Sequence, residues 1–222
     1  MTKYKVVEKF VSINGEGQKA GQLAVFVRFC GCNLNCTYCD TKWANVPDAK
    51  FEYETADEII KNIKDTKIKN VTLTGGEPLA QPGINELLEK LSEEKELSVE
   101  IETNGSKNIE ELKKLKNTPS VTLDYKLAGS GMEKFMDVSN YEFLEQKDTV
   151  KFVCSNRVDL EKAKEIIDKY NLTSKCKVYL SAVFGKITPA EIVDFMKENT
   201  MNNVNLQLQM HKFIWDPNER GV

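Results

Sequence analysis

A regular alternation of strand-like and helix-like segments constrains this 222-residue chain more than any other feature. Leu23 to Phe29, Asn70 to Thr74, Leu97 to Thr103, Ser120 to Tyr125, Thr149 to Cys154, Lys177 to Val183 and Asn203 to Gln209 are short apolar runs bounded by turn residues, and they read as strands. Helical patterns fall between most of them. Thr55 and Glu58 form a capping box ahead of one apolar-periodic segment. Thr188, Pro189 and Glu191 repeat the device, with proline at the first helical position. Asn108 and Glu111 predict another start, and Leu160, Ala163, Ile166 and Ile167 share a helical face. Strand followed by helix, about six times over, implies a mostly parallel sheet with right-handed crossovers. A closed eightfold barrel typically needs roughly 250 residues. The expected fold is therefore α/β: a partial, open barrel of about six β/α units. No repeat, low-complexity tract or linker divides the chain, so residues 1–222 are expected to form one domain.

In such sheets, sites form at the C-terminal ends of strands. The unusual residues sit there. A cysteine run follows Leu23 to Phe29, Gly-Gly-Glu-Pro follows Asn70 to Thr74, Asn-Gly follows Thr103, and Lys126 follows Tyr125. Four strands thus direct chemistry to one rim.

Bulk properties exclude several classes. A net charge of −3 and a pI near 5.5 argue against a nucleic-acid groove, which carries a basic excess. No apolar stretch approaches the roughly 20 residues of a membrane span. The first ten residues, MTKYKVVEKF, lack the apolar core of a secretory signal. A cytoplasmic protein without nucleic-acid or membrane partners is expected. Six cysteines in such a chain do not read as a disulfide framework. Cys154, in an apolar run, reads as a small core residue.

Cys32, Cys36 and Cys39 form C-x3-C-x2-C. A structural zinc site takes four ligands, usually as two separated pairs, and no second pair exists here. A four-iron cluster is normally held by four thiolates. Three on one tight loop would leave one iron open to an exogenous ligand. A structural zinc loop and a purely electron-transferring cluster are the competing readings. Cys30 is the alternative fourth ligand, or a structural thiol.

The spacing C-x3-C-x-aromatic-C, with Tyr38 before the last cysteine, and the following Thr74-Gly75-Gly76-Glu77-Pro78 resemble the radical S-adenosylmethionine superfamily. The resemblance implies a [4Fe–4S] cluster on Cys32, Cys36 and Cys39. It also implies S-adenosylmethionine chelating the open iron, and reductive cleavage to a 5′-deoxyadenosyl radical. Gly75 and Gly76 would let backbone approach the cofactor's ammonium, which Glu77 would accept directly.

Phe10 to Thr41, Ile101 to Gly105 and the Gln209-Met210-His211-Lys212 ending are similar to the 7-carboxy-7-deazaguanine synthase family. That resemblance implies conversion of 6-carboxy-5,6,7,8-tetrahydropterin to 7-carboxy-7-deazaguanine with loss of ammonia, on the route to 7-deazapurines such as queuosine. It implies Mg2+, a homodimer, and an electron donor such as flavodoxin or ferredoxin. By position, Thr41 is the expected magnesium ligand. Tyr38, Asp40, Gly75, Gly76, Glu77, Glu102, Asn104, Lys126 and Ser181 are expected at the cofactor. Ile13, Asn14, Gly15, Glu16, Arg28, Thr74 and His211 are expected at the pterin. The Glu16 carboxylate suits paired N–H donors on the pterin edge, on a segment whose Asn-Gly also signals a turn. Arg28 would clamp the substrate carboxylate, or form a salt bridge.

The chain departs from the family at three places. Asn14 stands where glutamine is usual. Asp124-Tyr125-Lys126 replaces Ser-Pro-Lys, and Leu180-Ser181-Ala182 replaces Leu-Gln-Pro. The chain also continues beyond His211-Lys212. Two other functions share parts of the pattern: a glycyl-radical enzyme activator, which acts on a protein, and a non-catalytic iron–sulfur module.

Overall fold

The computed structural model describes residues 1–217 and 219–222. One nine-stranded sheet forms its centre. The strands are β1 (Lys3–Ile13), β2 (Leu23–Phe29), β3 (Glu52–Thr55), β4 (Asn70–Gly75), β5 (Ser98–Thr103), β6 (Ser120–Tyr125), β7 (Thr149–Cys154), β8 (Lys177–Ala182) and β9 (Val204–Gln207). Their order is β3-β1-β2-β4-β5-β6-β7-β8-β9, so the sheet does not close. Every pair from β2 through β9 is parallel; β1 runs antiparallel to both β2 and β3. The open, partial barrel expected from the sequence is the observed architecture.

Each parallel strand alternates. Leu73, Ile101 and Val121 align across β4, β5 and β6, and Tyr125, Phe152, Leu180 and Leu206 align across β6 to β9. These rows pack under α1 (Ala56–Asp65), α2 (Ile84–Glu93), α3 (Arg157–Tyr170) and α5 (Pro189–Glu198), whose buried residues include Ile59, Ile63, Leu87, Leu91, Ile166 and Phe195. A short α4 (Leu172–Lys175) follows α3. The other face carries Thr72, Thr74, Glu100, Glu102, Thr122, Asp124, Lys151, Tyr179, Ser181 and Gln207. A sheet covered on both faces reads as continuously apolar. This one alternates, with its polar rows on the face opposite those helices.

Both expected capping boxes are present, Thr55 with Glu58 and Thr188 with Glu191. The expected helix near Asn108 is instead a five-residue 3-10 turn, Glu110–Lys114. Asn108 accepts from the Glu110 amide two residues on, and the chain then turns back at Leu115. The β6–β7 crossover also lacks an α-helix and holds three short 3-10 turns. Its glycine-containing start is diverted to hold the cysteine loop: the Thr37 amide donates to Ser130 O at 3.0 Å and the Thr37 hydroxyl to Gly129 O at 2.8 Å.

The turn from Asn14 to Gln22 joins β1 to β2 and lies across the polar face. Gln18 donates to Asp148 O at 2.8 Å and Lys19 to Ser98 Oγ at 2.7 Å, at the N-terminal ends of β7 and β5. The Gly17 amide donates to Gln207 Oε1 at 2.7 Å, and its φ of 76° suits glycine. The turn therefore floors the open barrel and bridges its unpaired side. Among the described residues, no helix is long and apolar enough to cross a membrane.

Thr55→Ala removes the side-chain half of the α1 capping box, the Thr55 hydroxyl that accepts from the Glu58 amide, and leaves the Thr55 amide on Glu58 Oε2. We expect a loss of about 1 kcal/mol in urea unfolding, with activity per folded molecule unchanged.

Candidate active site

β2 ends at Phe29, and the chain runs directly into the cysteine loop. The loop is locked to the end of β4. The Gly76 amide donates to Phe29 O at 3.1 Å and the Glu77 amide to Gly31 O at 3.0 Å. A Cβ on Gly75 would stand 2.3 Å from Phe29 O, and one on Gly76 would stand 1.8 Å from Gly31 O. The two glycines are thus required by contact with the cysteine loop's own backbone.

Glu77 is held by the chain itself. Its side chain is wholly buried and accepts from the Leu79 amide at 3.0 Å, Thr103 Oγ1 at 2.8 Å and the Asn104 amide at 2.7 Å. It joins the ends of β4 and β5. Burial pushes its pKa up, while these three donors favour the ionised form. Asn104 likewise turns to the loop. Its amide nitrogen reaches Cys32 Sγ at 3.5 Å and Asn33 Oδ1 at 3.0 Å, while its oxygen accepts from Ser106.

All six cysteines are free thiols. Burial raises the pKa of Cys36 and of Cys39, and Lys126 opposes the rise in both. A thiol in such a setting becomes a thiolate ligand when metal supplies the positive charge. Among the described residues, no three His, Cys, Asp or Glu side chains converge as ligands of a single ion. Cys30 is engaged through its backbone, with its amide on Lys5 O and its carbonyl on Gln81, and it lines an outer cleft with Lys3, Lys5 and Tyr53. Cys154 is a fully buried core residue, as expected.

Tyr38 reaches from the cysteine loop to β7, its hydroxyl donating to Val153 O at 3.2 Å, and burial raises its pKa strongly. The Thr41 hydroxyl donates to Asp40 Oδ1 at 2.9 Å. Desolvation works against the Asp40 charge, but Thr41, Lys212, Lys151 and Lys126 hold its pKa below the ordinary carboxylate value. Arg28 donates through Nε to Glu8 Oε1 at 2.7 Å across the β1–β2 pair. The salt-bridge reading of Arg28 is therefore realised on one edge of the guanidinium. Thr74 Oγ1 donates to Glu102 Oε2 at 2.6 Å. Burial raises the pKa of Glu102, chiefly against the pull of Lys151.

Two distant sequence segments meet here. Ile13 ends β1, and Asn14 is buried in the turn that follows, accepting from Thr72 Oγ1 at 2.8 Å. The Met210 amide donates to Gly15 O at 3.3 Å. His211 opens α6 (His211–Ile214), and its Nδ1 would lie 2.9 Å from a Cβ on Gly15. Burial lowers the His211 pKa, so the ring is neutral at pH 7. Beyond it, the tail returns over the loop, with Arg220 4.1 Å from the Trp43 ring.

Four buried polar atoms on this face have no protein partner: Asn14 Nδ2, Glu16 Oε1, Asp124 Oδ1 and Ser181 Oγ. Buried groups of this kind are normally satisfied, so these four are places where a ligand could supply the missing partner. A cleft of about 390 Å3 adjoins Ser181, walled by Phe184, Ile187, Leu208 and Phe213. Sequence reasoning missed Lys151, whose Nζ lies 3.0 Å from Glu16 Oε2. A lysine central in the strand Thr-Val-Lys-Phe-Val-Cys was the available signal.

Comparison with known proteins agrees with this geometry. The family model of the radical SAM superfamily matches residues 26–198. A 7-carboxy-7-deazaguanine synthase from Clostridium acetobutylicum is 61% identical over 219 residues, covering 99% of each chain. One from Leptospira interrogans is 33% identical, covering 99% of this chain and 98% of the relative. A crystal structure of QueE from Escherichia coli shares the fold, with a TM-score of 0.73 at 22% identity over 94% of this chain and 95% of that one.

Glu100 offers a test of the polar face. It is buried beside Glu102, and burial raises its pKa although Thr122 donates to it at 2.5 Å. Ionising it costs more folded than unfolded, so the penalty opens as pH rises above about 4.3, the unfolded value. Glu100→Gln should therefore be more stable than wild type near pH 7. The gap should close below pH about 4, read from melting temperatures across pH.

Proposed function

The chain belongs to the radical S-adenosylmethionine superfamily, and within it to the 7-carboxy-7-deazaguanine synthase family. From that membership we propose that it is a carbon–nitrogen lyase that takes 6-carboxy-5,6,7,8-tetrahydropterin to 7-carboxy-7-deazaguanine with loss of ammonia. What supports this reading is a polar face on which Glu102 feels both Glu16 and Arg28, His211 feels Glu16, and Asn14, Glu16, Asp124 and Ser181 each keep a buried polar atom without a protein partner.

Cys32, Cys36 and Cys39 would hold three irons of a [4Fe–4S] cluster. Tyr38, Asp40, the Gly75–Gly76 backbone, Glu102, Lys126 and Ser181 would hold S-adenosylmethionine. When bound, these groups supply a carbon-centred radical that abstracts hydrogen. The protein's own part is positioning. Glu16 would accept from the N–H pair of the pterin edge through its free oxygen. Arg28, with Nε spent on Glu8, would offer its remaining N–H groups to the substrate carboxylate. Thr74 and neutral His211 would complete the substrate wall. The Thr41 hydroxyl, beside Asp40, would ligate Mg2+, a hard cation suited to orienting the substrate's oxygens. The Asn14–Gln22 turn would exclude water from below. An external one-electron donor, such as flavodoxin or ferredoxin, and a homodimer complete the proposal.

The test is anaerobic reconstitution with iron and sulfide, then incubation with dithionite, S-adenosylmethionine, Mg2+ and the carboxypterin. Product at the mass of the deazaguanine acid supports the reading. Formation of 5′-deoxyadenosine without that product would point to a different radical enzyme, such as one acting on a glycyl-radical protein. Arg28→Lys should raise the KM for the carboxypterin about tenfold by losing the planar fork. Thr41→Ala should abolish stimulation by Mg2+ while leaving iron content unchanged.

A further inference from the structure

Lys151 belongs to none of the motifs that assign the family, yet it sits at the centre of the polar face. It is only 9% exposed, and register aligns it with Asp124 on β6 and Tyr179 on β8. Its Nζ lies 3.0 Å from Glu16 Oε2 and 3.7 Å from Asp124 Oδ2. That same Asp124 oxygen receives Lys126 Nζ at 2.8 Å. A continuous charge chain results: Glu16, Lys151, Asp124, Lys126. Each carboxylate gives one oxygen to the chain and leaves the other buried and unpartnered. The chain thus spends half of each acceptor internally and holds the other half for a ligand.

We propose that Lys151 is a positioning residue that couples the two halves of the site, so that the pterin and S-adenosylmethionine bind with positive cooperativity. The inference rests on the placement of Glu16 with substrate and Lys126 with cofactor. Glu16 arrives from the floor turn and Lys126 stands on the cysteine side, where its charge acts on Cys36. Lys151 is shared unequally between the two acids. Donors from a pterin edge partly neutralise Glu16, and the lysine then shifts toward Asp124. Asp124, better satisfied, loosens its hold on Lys126, which turns its charge to the cofactor side. Glu102 on β5 faces the same ammonium and keeps it charged, as do Glu16 and Asp124. The coupling is reciprocal by thermodynamic necessity.

The experiment measures S-adenosylmethionine affinity by equilibrium dialysis, using anaerobically reconstituted protein with and without saturating carboxypterin. In wild type the pterin should tighten binding by about fivefold or more. In K151M the factor should fall to near one, with affinity for S-adenosylmethionine alone within about threefold of wild type. K151R, which keeps the charge, should retain most of the factor. K151Q, which keeps a polar side chain but removes the charge, should also lose it, and it carries the test if K151M does not fold. Equal S-adenosylmethionine affinity with and without pterin in the wild type, or an undiminished factor in K151M, overturns the coupling alone if the wild type still turns the pterin over. Failure of the wild type to bind the carboxypterin overturns both the coupling and the substrate assignment.

Discussion

The site depends on one close backbone contact. Gly75 and Gly76, at the end of β4, lie against Phe29 O and Gly31 O with no room for a side chain. The Gly76 and Glu77 amides close the contact with hydrogen bonds. Glu77 then carries the lock to β5 through Thr103 and Asn104. Asn104 completes the circuit by reaching Cys32 and Asn33. A cysteine loop with few apolar contacts of its own is fixed by the strand ends beside it. Buried hydrogen bonds to a carboxylate are among the stronger ones available, and here they are spent on shape.

The sheet has two unlike faces for the same reason. Its apolar rows under α1, α2, α3 and α5 supply the stability. Its polar rows contribute buried Glu100 and Lys151 and half-buried Glu102 and Asp124, the last with one carboxylate oxygen unpartnered. Burying charge is costly unless it is paired. Lys151 offsets part of that cost, its charge drawing the pKa values of Glu100 and Glu102 down against the effect of burial, and the unpartnered oxygens of Glu16 and Asp124 remain as places for ligand donors. Stability is surrendered on one face so that binding can occur there.

The apolar runs and capping boxes were legible because local physics writes them locally. β2, β6 and β7 fall where the run of Val, Leu and Phe placed them, and α1 and α5 begin at their predicted caps. The cysteine spacing and the Gly-Gly-Glu turn were legible for the same reason. β1 and β3 were not read as strands, because their burial is set by an antiparallel excursion at the sheet edge. The crossover after Asn108 was read as helix because its cap signal is genuine, but tertiary contact with the cysteine loop claims the next crossover for short turns. For Glu77 and Asn104 the sequence gives a position at the rim but not the rotation that joins each to its neighbours. Contact between Gly15 and His211 joins residues almost two hundred positions apart, and no local pattern encodes it. Lys151 was visible as a charge inside an apolar run, but its partner Glu16 lies 135 residues away.

The central claim is that three thiolates leave one iron of the cluster open to S-adenosylmethionine. The most direct measurement is the electron paramagnetic resonance spectrum of the dithionite-reduced, reconstituted protein before and after S-adenosylmethionine is added. An open iron predicts a clear change in g values on addition, because the ligand binds the cluster itself. Superimposable spectra at saturating S-adenosylmethionine would mean that the iron is already capped, and would contradict the account.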